Sequence, residues 1–226
     1  MKKTTLLLVA LIVGIMVFAQ EEKTKNTNEY RTLFSGDKIN HGGYGAILMN
    51  YSKINDKNAF LAGIRGMWLI NHGIGLGIGG YGFINDMNVN NVTYDYTDYS
   101  LAGGYGGIVI EPIVGAKHPV HVSFPVLIGA GGVAAIQERY YYTWPHDPEY
   151  YSTSSAAYFV AEPGVEIEFN LVKFFRIGLG AYYRYTSNIE LLYETWNSDN
   201  NQYKIVTHNP DLKGFSFGAS LKFGKF

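Results

Sequence analysis

The chain has 226 residues, enough for one domain, and contains no cysteine. Without cysteine it can be neither a lipoprotein nor a disulfide scaffold, and thiolate catalysis and Cys-ligated zinc are excluded. Its 18 Lys and Arg residues against 19 Asp and Glu give a net charge of −1, so there is no basic footprint for nucleic acid.

The first 19 residues, MKKTTLLLVALIVGIMVFA, predict a secretory signal peptide that is cleaved after Ala19. Two lysines precede a short apolar run, Val17-Phe18-Ala19 ends it, and polar residues follow. A membrane anchor fits less well because the run is short and no basic stop-transfer cluster follows it. Cleavage removes two lysines and no acid, which leaves 16 basic against 19 acidic residues. Residues 20–41 are then an N-terminal periplasmic segment, and residues 42–226 form the main domain.

Eight strands are predicted in this main domain. In chain order they are 42–53, 59–70, 74–85, 100–116, 120–138, 156–171, 174–187 and 214–226. The connections before the third, fifth and seventh strands are short. Those before the fourth, sixth and eighth are long, at 86–99, 139–155 and 188–213. Short turns at one end and long loops at the other are typical of membrane barrels with an even strand number.

Apolar and polar residues alternate along these strands, which predicts one apolar and one polar face. In GFSFGASLKFGKF at the end of the chain, the odd positions Phe215 to Phe223 are apolar, and Ser, Gly and Lys lie between them. Phe226 is out of step with this series, so it is predicted on the inner face unless a bulge intervenes. Pro112, Pro125 and Pro163 lie within strand-like runs and predict bulges or strand sections above the membrane.

A cleaved signal, eight alternating strands, three long loops and a terminal Phe resemble the small outer-membrane β-barrel proteins of Gram-negative bacteria. The expected fold is all-β, an eight-stranded antiparallel up-and-down transmembrane β-barrel. The resemblance also implies location in the outer membrane, contact with its lipid, and insertion by the barrel assembly machinery. That machinery recognises an aromatic C-terminal strand, which makes the position of Phe226 of interest.

The strand phase places eight charged side chains inside the barrel. An eight-stranded barrel is only wide enough to be filled by its own side chains, and buried charges must be paired. We therefore expect an ion network that plugs the lumen, with a narrow ion path as the alternative. The predicted members are Arg65, Glu111, Glu162, Glu166, Glu168, Arg176, Arg184 and Lys222.

Two groups of residues are candidates for catalysis. His121 and Ser123 form the His-x-Ser pair that lipid A deacylases of this barrel size use, but the pair is predicted at the periplasmic end and inside the lumen. His146 and Asp147 with Ser152 would lie in a long loop. The six histidines are scattered, so no metal site and no cofactor are predicted.

The long loops are rich in Tyr, Trp, Asn and Ser, a composition that suits recognition of proteins or glycans and equally suits anchoring at the membrane surface. Tyr141, Trp144, Tyr150 and Trp196 are the residues predicted for recognition. The leading hypothesis is a non-enzymatic outer-membrane barrel with a structural or surface-recognition role. Two alternatives stay open: a lipid A-modifying enzyme (acyl hydrolase or acyltransferase), and a soluble periplasmic ligand-binding β-barrel with apolar residues pointing inward.

Overall fold

The computed structural model describes residues 40–87, 97–139, 149–197 and 202–226. The predicted signal peptide and most of the segment 20–41 lie outside these residues. The described part of the chain contains no helix that is long and apolar enough to cross a membrane. Its strands are β1 (His41–Ile54), β2 (Lys57–Ile70), β3 (Ile74–Met87), β4 (Thr97–Val114), β5 (Val120–Ser123), β6 (Val126–Arg139), β7 (Glu149–Val172), β8 (Phe175–Thr186), β9 (Leu191–Asn197), β10 (Gln202–His208) and β11 (Gly214–Lys225).

Nine of these strands form a closed antiparallel ring. Pairing runs along the chain from β1 to β8, and β11 closes the ring between β8 and β1. Because β5 and β6 occupy one place between β4 and β7, the ring has eight positions. The predicted fold, an eight-stranded antiparallel up-and-down barrel, is confirmed. Each predicted strand is found with its ends shifted by at most three residues, except that β7 begins seven residues before the predicted start at 156.

Phe124 and Pro125 interrupt the fifth barrel strand without changing its register. Ile113 pairs with Ser123 and Ile110 with Val126, which is the same offset on both sides of the break. Proline lacks the N–H that a ladder needs, so it separates β5 from β6. The Pro125 carbonyl still accepts a hydrogen bond from the Gly164 N–H at 2.8 Å. Of the two alternatives predicted for Pro125, the bulge is therefore wrong, and a strand section above the membrane stays a prediction.

Pro112 and Pro163 likewise sit in regular register, opposite Ile74 and Val126 respectively. The register shifts of these strands lie elsewhere, between Ala135 and Ile136 in the β6–β7 pair and between Asn170 and Val172 in the β7–β8 pair. The bulge alternative is therefore also wrong for these two prolines, and a strand section above the membrane stays a prediction.

The two ends of the barrel differ in their connections. One end, here called the terminus end, carries the start of β1, the end of β11, and the short connections 71–73, 115–119 and 173–174. The other, here called the loop end, carries the two-residue turn Asn55-Asp56 and the longer connections. Both turn residues have positive φ, 52° and 62°, as a tight hairpin turn requires. The predicted rhythm of short and long connections is confirmed.

The connection between β8 and β11 is not a continuous loop, as 188–213 was predicted to be. It contains a separate hairpin, in which β9 and β10 pair from Leu191 with His208 to Asn197 with Gln202. Its sequence, LLYETWNSDNNQYKIVTH, has a polar turn between two runs that favour strands, and this signal was missed. Apolar side chains buried at the loop end are Ile54, Leu101, Ala135, Ile189, Leu191 and Leu212.

Candidate functional site

The inner face of the barrel collects all eight charged residues that the strand phase predicted there. Each is at most 5% exposed, and Glu111, Glu166, Arg184 and Lys222 are fully buried. Every strand of the barrel points alternate side chains into the lumen, so these residues meet there although they come from different strands. We call this set the lumen network: Arg65 on β2, Glu111 on β4, Glu162, Glu166 and Glu168 on β7, Arg176 and Arg184 on β8, and Lys222 on β11.

Lys222 is at the centre of the terminus-end half of this network. Its Nζ lies 2.8 Å from Glu111 Oε1, 2.8 Å from Glu166 Oε2 and 2.7 Å from Glu168 Oε1. An ammonium group has three N–H donors, so each of them has a carboxylate acceptor. Such charge-assisted hydrogen bonds are the strong ones in proteins. One buried lysine thus joins strands β4, β7 and β11 across the lumen.

Glu166 has the fullest set of donors. Beside Lys222, it accepts hydrogen bonds from Arg65 Nη1 at 2.8 Å, from Tyr182 Oη at 2.7 Å and from Ser220 Oγ at 3.2 Å. A carboxylate offers about four acceptor positions, so these four donors satisfy it. The Tyr44 hydroxyl donates to Glu111 in the same way. These tyrosines share the inward phase of their strands, but only charged residues were predicted as members of the network.

A second layer closes the terminus end. His121 Nε2 lies 3.0 Å from Glu168 Oε2, and Arg176 Nη1 lies 3.5 Å from the same oxygen. The Arg176 guanidinium carbon lies 3.7 Å from the ring centroid of Phe226, within cation–π distance. The Phe226 ring is also 5.7 Å from that of Tyr44. Phe226 therefore packs on the inner face, as its phase in the sequence predicted.

The loop-end half of the network has fewer charges and more neutral partners. Arg184 Nε donates to the Leu212 carbonyl at 2.6 Å, and Arg184 Nη2 donates to Ser52 Oγ at 3.3 Å. The carboxylate nearest to Arg184 belongs to Glu162, at 4.0 Å. Glu162 instead accepts a 2.5 Å hydrogen bond from the Tyr105 hydroxyl. Backbone and hydroxyl groups thus replace the carboxylates that surround Lys222.

Three features of the interior bear on whether it could conduct ions or bind a metal. Its charges balance, with four acidic and four basic side chains. The cavity beside Arg65, Tyr81 and Tyr182 has a volume of about 10 Å³, which is no more than the space that one water molecule needs. The carboxylates of Glu111, Glu166 and Glu168 lie within 4.8 Å of one another, a spacing that would suit a metal ion. The Lys222 ammonium bonds to all three and supplies the positive charge instead.

The candidate catalytic residues do not form an accessible site. His121 is 4% exposed and Ser123 is fully buried, and both face the lumen rather than the lipid side. The His121 ring is held by Glu168 and Arg176. In the second group, His146 and Asp147 lie outside the described residues, and Ser152 lies in strand β7 rather than in a loop.

For the four aromatic residues predicted for recognition, the structure gives backbone positions for two. Tyr141 and Trp144 lie outside the described residues. Tyr150 belongs to β7 and Trp196 to β9, so their assignment to loops 139–155 and 188–213 was wrong. Both residues lie in strands at the loop end, and aromatic residues favour extended backbone.

No protein-family model and no curated protein matches the sequence. Among solved structures, Neisserial surface protein A is 10% identical, with 84% of this chain and 100% of that chain covered and a TM-score of 0.48. A major outer membrane protein from Thermus thermophilus is 8% identical, with coverages of 80% and 99% and a TM-score of 0.48. Ail of Yersinia pestis, in complex with the heparin analogue sucrose octasulfate, is 16% identical, with coverages of 81% and 98% and a TM-score of 0.37.

All three TM-scores lie below 0.5, so these matches stand as likenesses only, and the strand pairing of the chain confirms the predicted barrel fold. At such low identity these matches carry no residue roles. The assignment of the closed barrel rests on the strand pairing of the chain itself.

Proposed function

We infer that the protein is an integral outer-membrane barrel whose lumen is plugged by its ion network and whose loop end serves a structural or surface-recognition role. The observation that carries this proposal is the inverted polarity of the barrel. Outward-facing Phe60 and Phe159 are each 77% exposed and Ile64 is 72% exposed, whereas Arg184 and Lys222 have no exposure at all. A surface this apolar, around an interior that buries charged as well as apolar side chains, is unstable in water and suits a hydrocarbon environment.

Aromatic residues at both ends of the outer surface support a membrane-spanning position. Trp68, near the terminus end, is 51% exposed and stacks on His41 at 5.5 Å. Tyr51 and Tyr185 are exposed on the outer surface toward the loop end. Trp and Tyr are enriched where a barrel meets lipid headgroups. Outer-membrane lipid is therefore a proposed partner of this surface.

The barrel assembly machinery is the proposed partner during biogenesis. The last strand presents Phe215, Phe217 and Phe223 on its outer face, between 47% and 64% exposed, whereas Phe226 lies inside the barrel. A protein that recognises the folded strand β11 would therefore contact its outward-facing phenylalanines rather than Phe226.

Neither alternative fits the geometry as well. A soluble ligand-binding barrel needs polar side chains outside, whereas the outward side chain of Ile64 is 72% exposed and the charged Lys222 is buried. A lipid A-modifying enzyme needs a nucleophile and base that reach lipid, and the described His121 and Ser123 are sealed in the lumen. The proposed function therefore includes no chemistry at this pair.

The first test is fractionation followed by a detergent gel with and without boiling. A membrane-embedded barrel is expected in the outer-membrane fraction, and its band should shift on heating because the folded barrel resists detergent. Recovery in the periplasmic supernatant, with no shift, would contradict the proposal.

A substitution on the outer surface gives a second, quantitative test. Ile64→Arg places a charge near the middle of β2, where the side chain is 72% exposed. In a lipid bilayer this should lower the free energy of unfolding by about 2–4 kcal/mol, against roughly 0–1 kcal/mol for the same change near a membrane interface. Leu171→Arg, beside the short turn 173–174, is the matched control. Equal effects at the two positions in urea unfolding would argue against a bilayer around the barrel.

A further inference from the structure

A polar pocket of about 290 Å³ lies at the loop end, between the segment after β8 and the segment before β11. Side chains with hydrogen-bonding groups line it: Ser187, Asn188, Glu190, Asn209, Asp211 and Lys213. Ligand pockets in proteins usually measure roughly 300–1,000 Å³, so this one has the size for a small ligand.

The wall formed by residues 209–213 is tied to the barrel by hydrogen bonds. The Asn55 N–H donates to the Asp211 carbonyl at 2.8 Å, and Arg184 Nε donates to the Leu212 carbonyl at 2.6 Å. The Lys213 N–H donates to Asp211 Oδ1 at 3.0 Å, which fixes that carboxylate. Buried Leu212 completes the attachment.

The opposite wall is tied to strand β7. The Ser187 N–H donates to the Phe159 carbonyl at 3.0 Å, and the Phe159 N–H donates to Ser187 Oγ at 3.1 Å. Ile189, two residues later, is buried in the apolar cluster at the loop end. The backbone of both walls is therefore held before any ligand arrives, so binding requires little ordering of the backbone.

The groups in this pocket combine donors and acceptors without a strong net charge. Glu190 and Asp211 only accept hydrogen bonds, Lys213 only donates them, and the two asparagine amides do both. An anion would meet the two carboxylates, and the Lys213 ammonium, 5.5 Å from the centroid of the Tyr185 ring, offsets part of their attraction for a small cation. Sugar hydroxyl groups both donate and accept, so they match this mixture. We propose that the pocket binds one neutral sugar unit of a glycan.

This proposal rests on the proposed surface-recognition role of the loop end, and it names the ligand class for that role. The test uses the full mature barrel in detergent micelles or lipid nanodiscs. Saturation-transfer NMR is measured with the methyl glycosides of glucose, galactose, mannose and N-acetylglucosamine. Asp211→Asn and Glu190→Gln each replace a charged acceptor with an amide of the same shape. Asp56→Asn makes the same change in the adjoining turn, outside the pocket lining.

We expect at least one glycoside to receive saturation from the wild type and from Asp56→Asn. Its binding should weaken roughly tenfold or more in Asp211→Asn and Glu190→Gln, the usual effect of losing a charge-assisted hydrogen bond. No transfer from any glycoside, unchanged binding in both pocket variants, or displacement of the sugar by calcium ions alone would overturn the proposal. The heated-gel assay reports membrane embedding separately, so a loss of sugar binding in a barrel that still shifts on heating leaves the membrane assignment intact.

Discussion

The two halves of the lumen solve the problem of buried charge in different ways. Toward the terminus end, Lys222 bonds to three carboxylates, and Arg65 and Arg176 complete a balanced set of ions. Toward the loop end, Arg184 relies on a backbone carbonyl and a serine hydroxyl. A buried ion left without its partner costs far more than a neutral group left without one, because its desolvation is uncompensated. The two halves should therefore respond differently when one cation is removed.

The largest effect is expected for Lys222→Met, which keeps the length of the side chain and removes its charge. Three buried carboxylates, those of Glu111, Glu166 and Glu168, would lose an ammonium donor at 2.7–2.8 Å. Removing one partner of a buried ion pair costs about 3–5 kcal/mol. Urea unfolding in lipid or detergent, followed by tryptophan fluorescence, measures this.

Lys225→Met is the matched control for this change. It lies on the same strand, β11, but its side chain is exposed. Adding Glu111→Gln to Lys222→Met should recover part of the lost stability, because one of the three buried carboxylates is then replaced by a neutral amide. The interaction free energy between the two substitutions is expected to be about 0.5–3 kcal/mol. Similar destabilisation by the two lysine variants would show that the three-carboxylate cluster does not depend on Lys222.

A smaller effect is expected for Arg184→Met in the loop-end half. The change leaves the Leu212 carbonyl without its 2.6 Å donor, and an unsatisfied buried acceptor costs about 1–3 kcal/mol. Glu162 keeps its hydrogen bond from Tyr105, so no carboxylate is left without a donor. The same unfolding assay applies. If Arg184→Met lowered the free energy of unfolding as much as Lys222→Met, then Arg184 and Glu162, 4.0 Å apart, would form a strong ion pair. The proposed difference between the two halves of the lumen would then be wrong.

The smallest of the three effects is expected for Arg176→Met at the terminus end. Glu168 would keep Lys222 and His121, so the main loss is one 3.5 Å ion pair and the contact with the Phe226 ring. Together these are worth about 1–2 kcal/mol. Lys117→Met in the exposed turn 115–119 is the control and should change stability by less than about 0.5 kcal/mol. The temperature at which each folded band disappears on gels compares the two. A larger loss from the turn variant would contradict the assignment of Arg176 to the lumen.

The alternation of apolar and polar residues predicted which side chains of the barrel strands point inward and which point outward, and the structure agrees with it. Even the out-of-step Phe226 lies on the inner face, because the alternation continues without interruption to the end of β11. The pattern contains no information on which charges meet. Glu111 and Lys222 are 111 residues apart in sequence, and their contact depends on the stagger of strands around the closed ring.

The loop end was the least predictable part. Asn and Ser around residues 197–201 led to the prediction of a loop, and the two strand-favouring runs on either side, which pair from Leu191 with His208 to Asn197 with Gln202, were missed. The polar pocket was not predicted either, because its walls come from two segments separated by that hairpin. Local composition cannot report a site assembled from distant backbone segments.

The sequence by itself determined the strand count of the barrel, the inward and outward faces, the rhythm of short and long connections, and the set of eight buried charges. These follow from local alternation and turn chemistry, which each strand carries independently. Only the tertiary structure decided that Lys222 bonds to three carboxylates, that Arg184 is held by the Leu212 carbonyl, and that Phe226 closes on Arg176. Those contacts cross the lumen, and closing the ring is the step that brings opposite strands together.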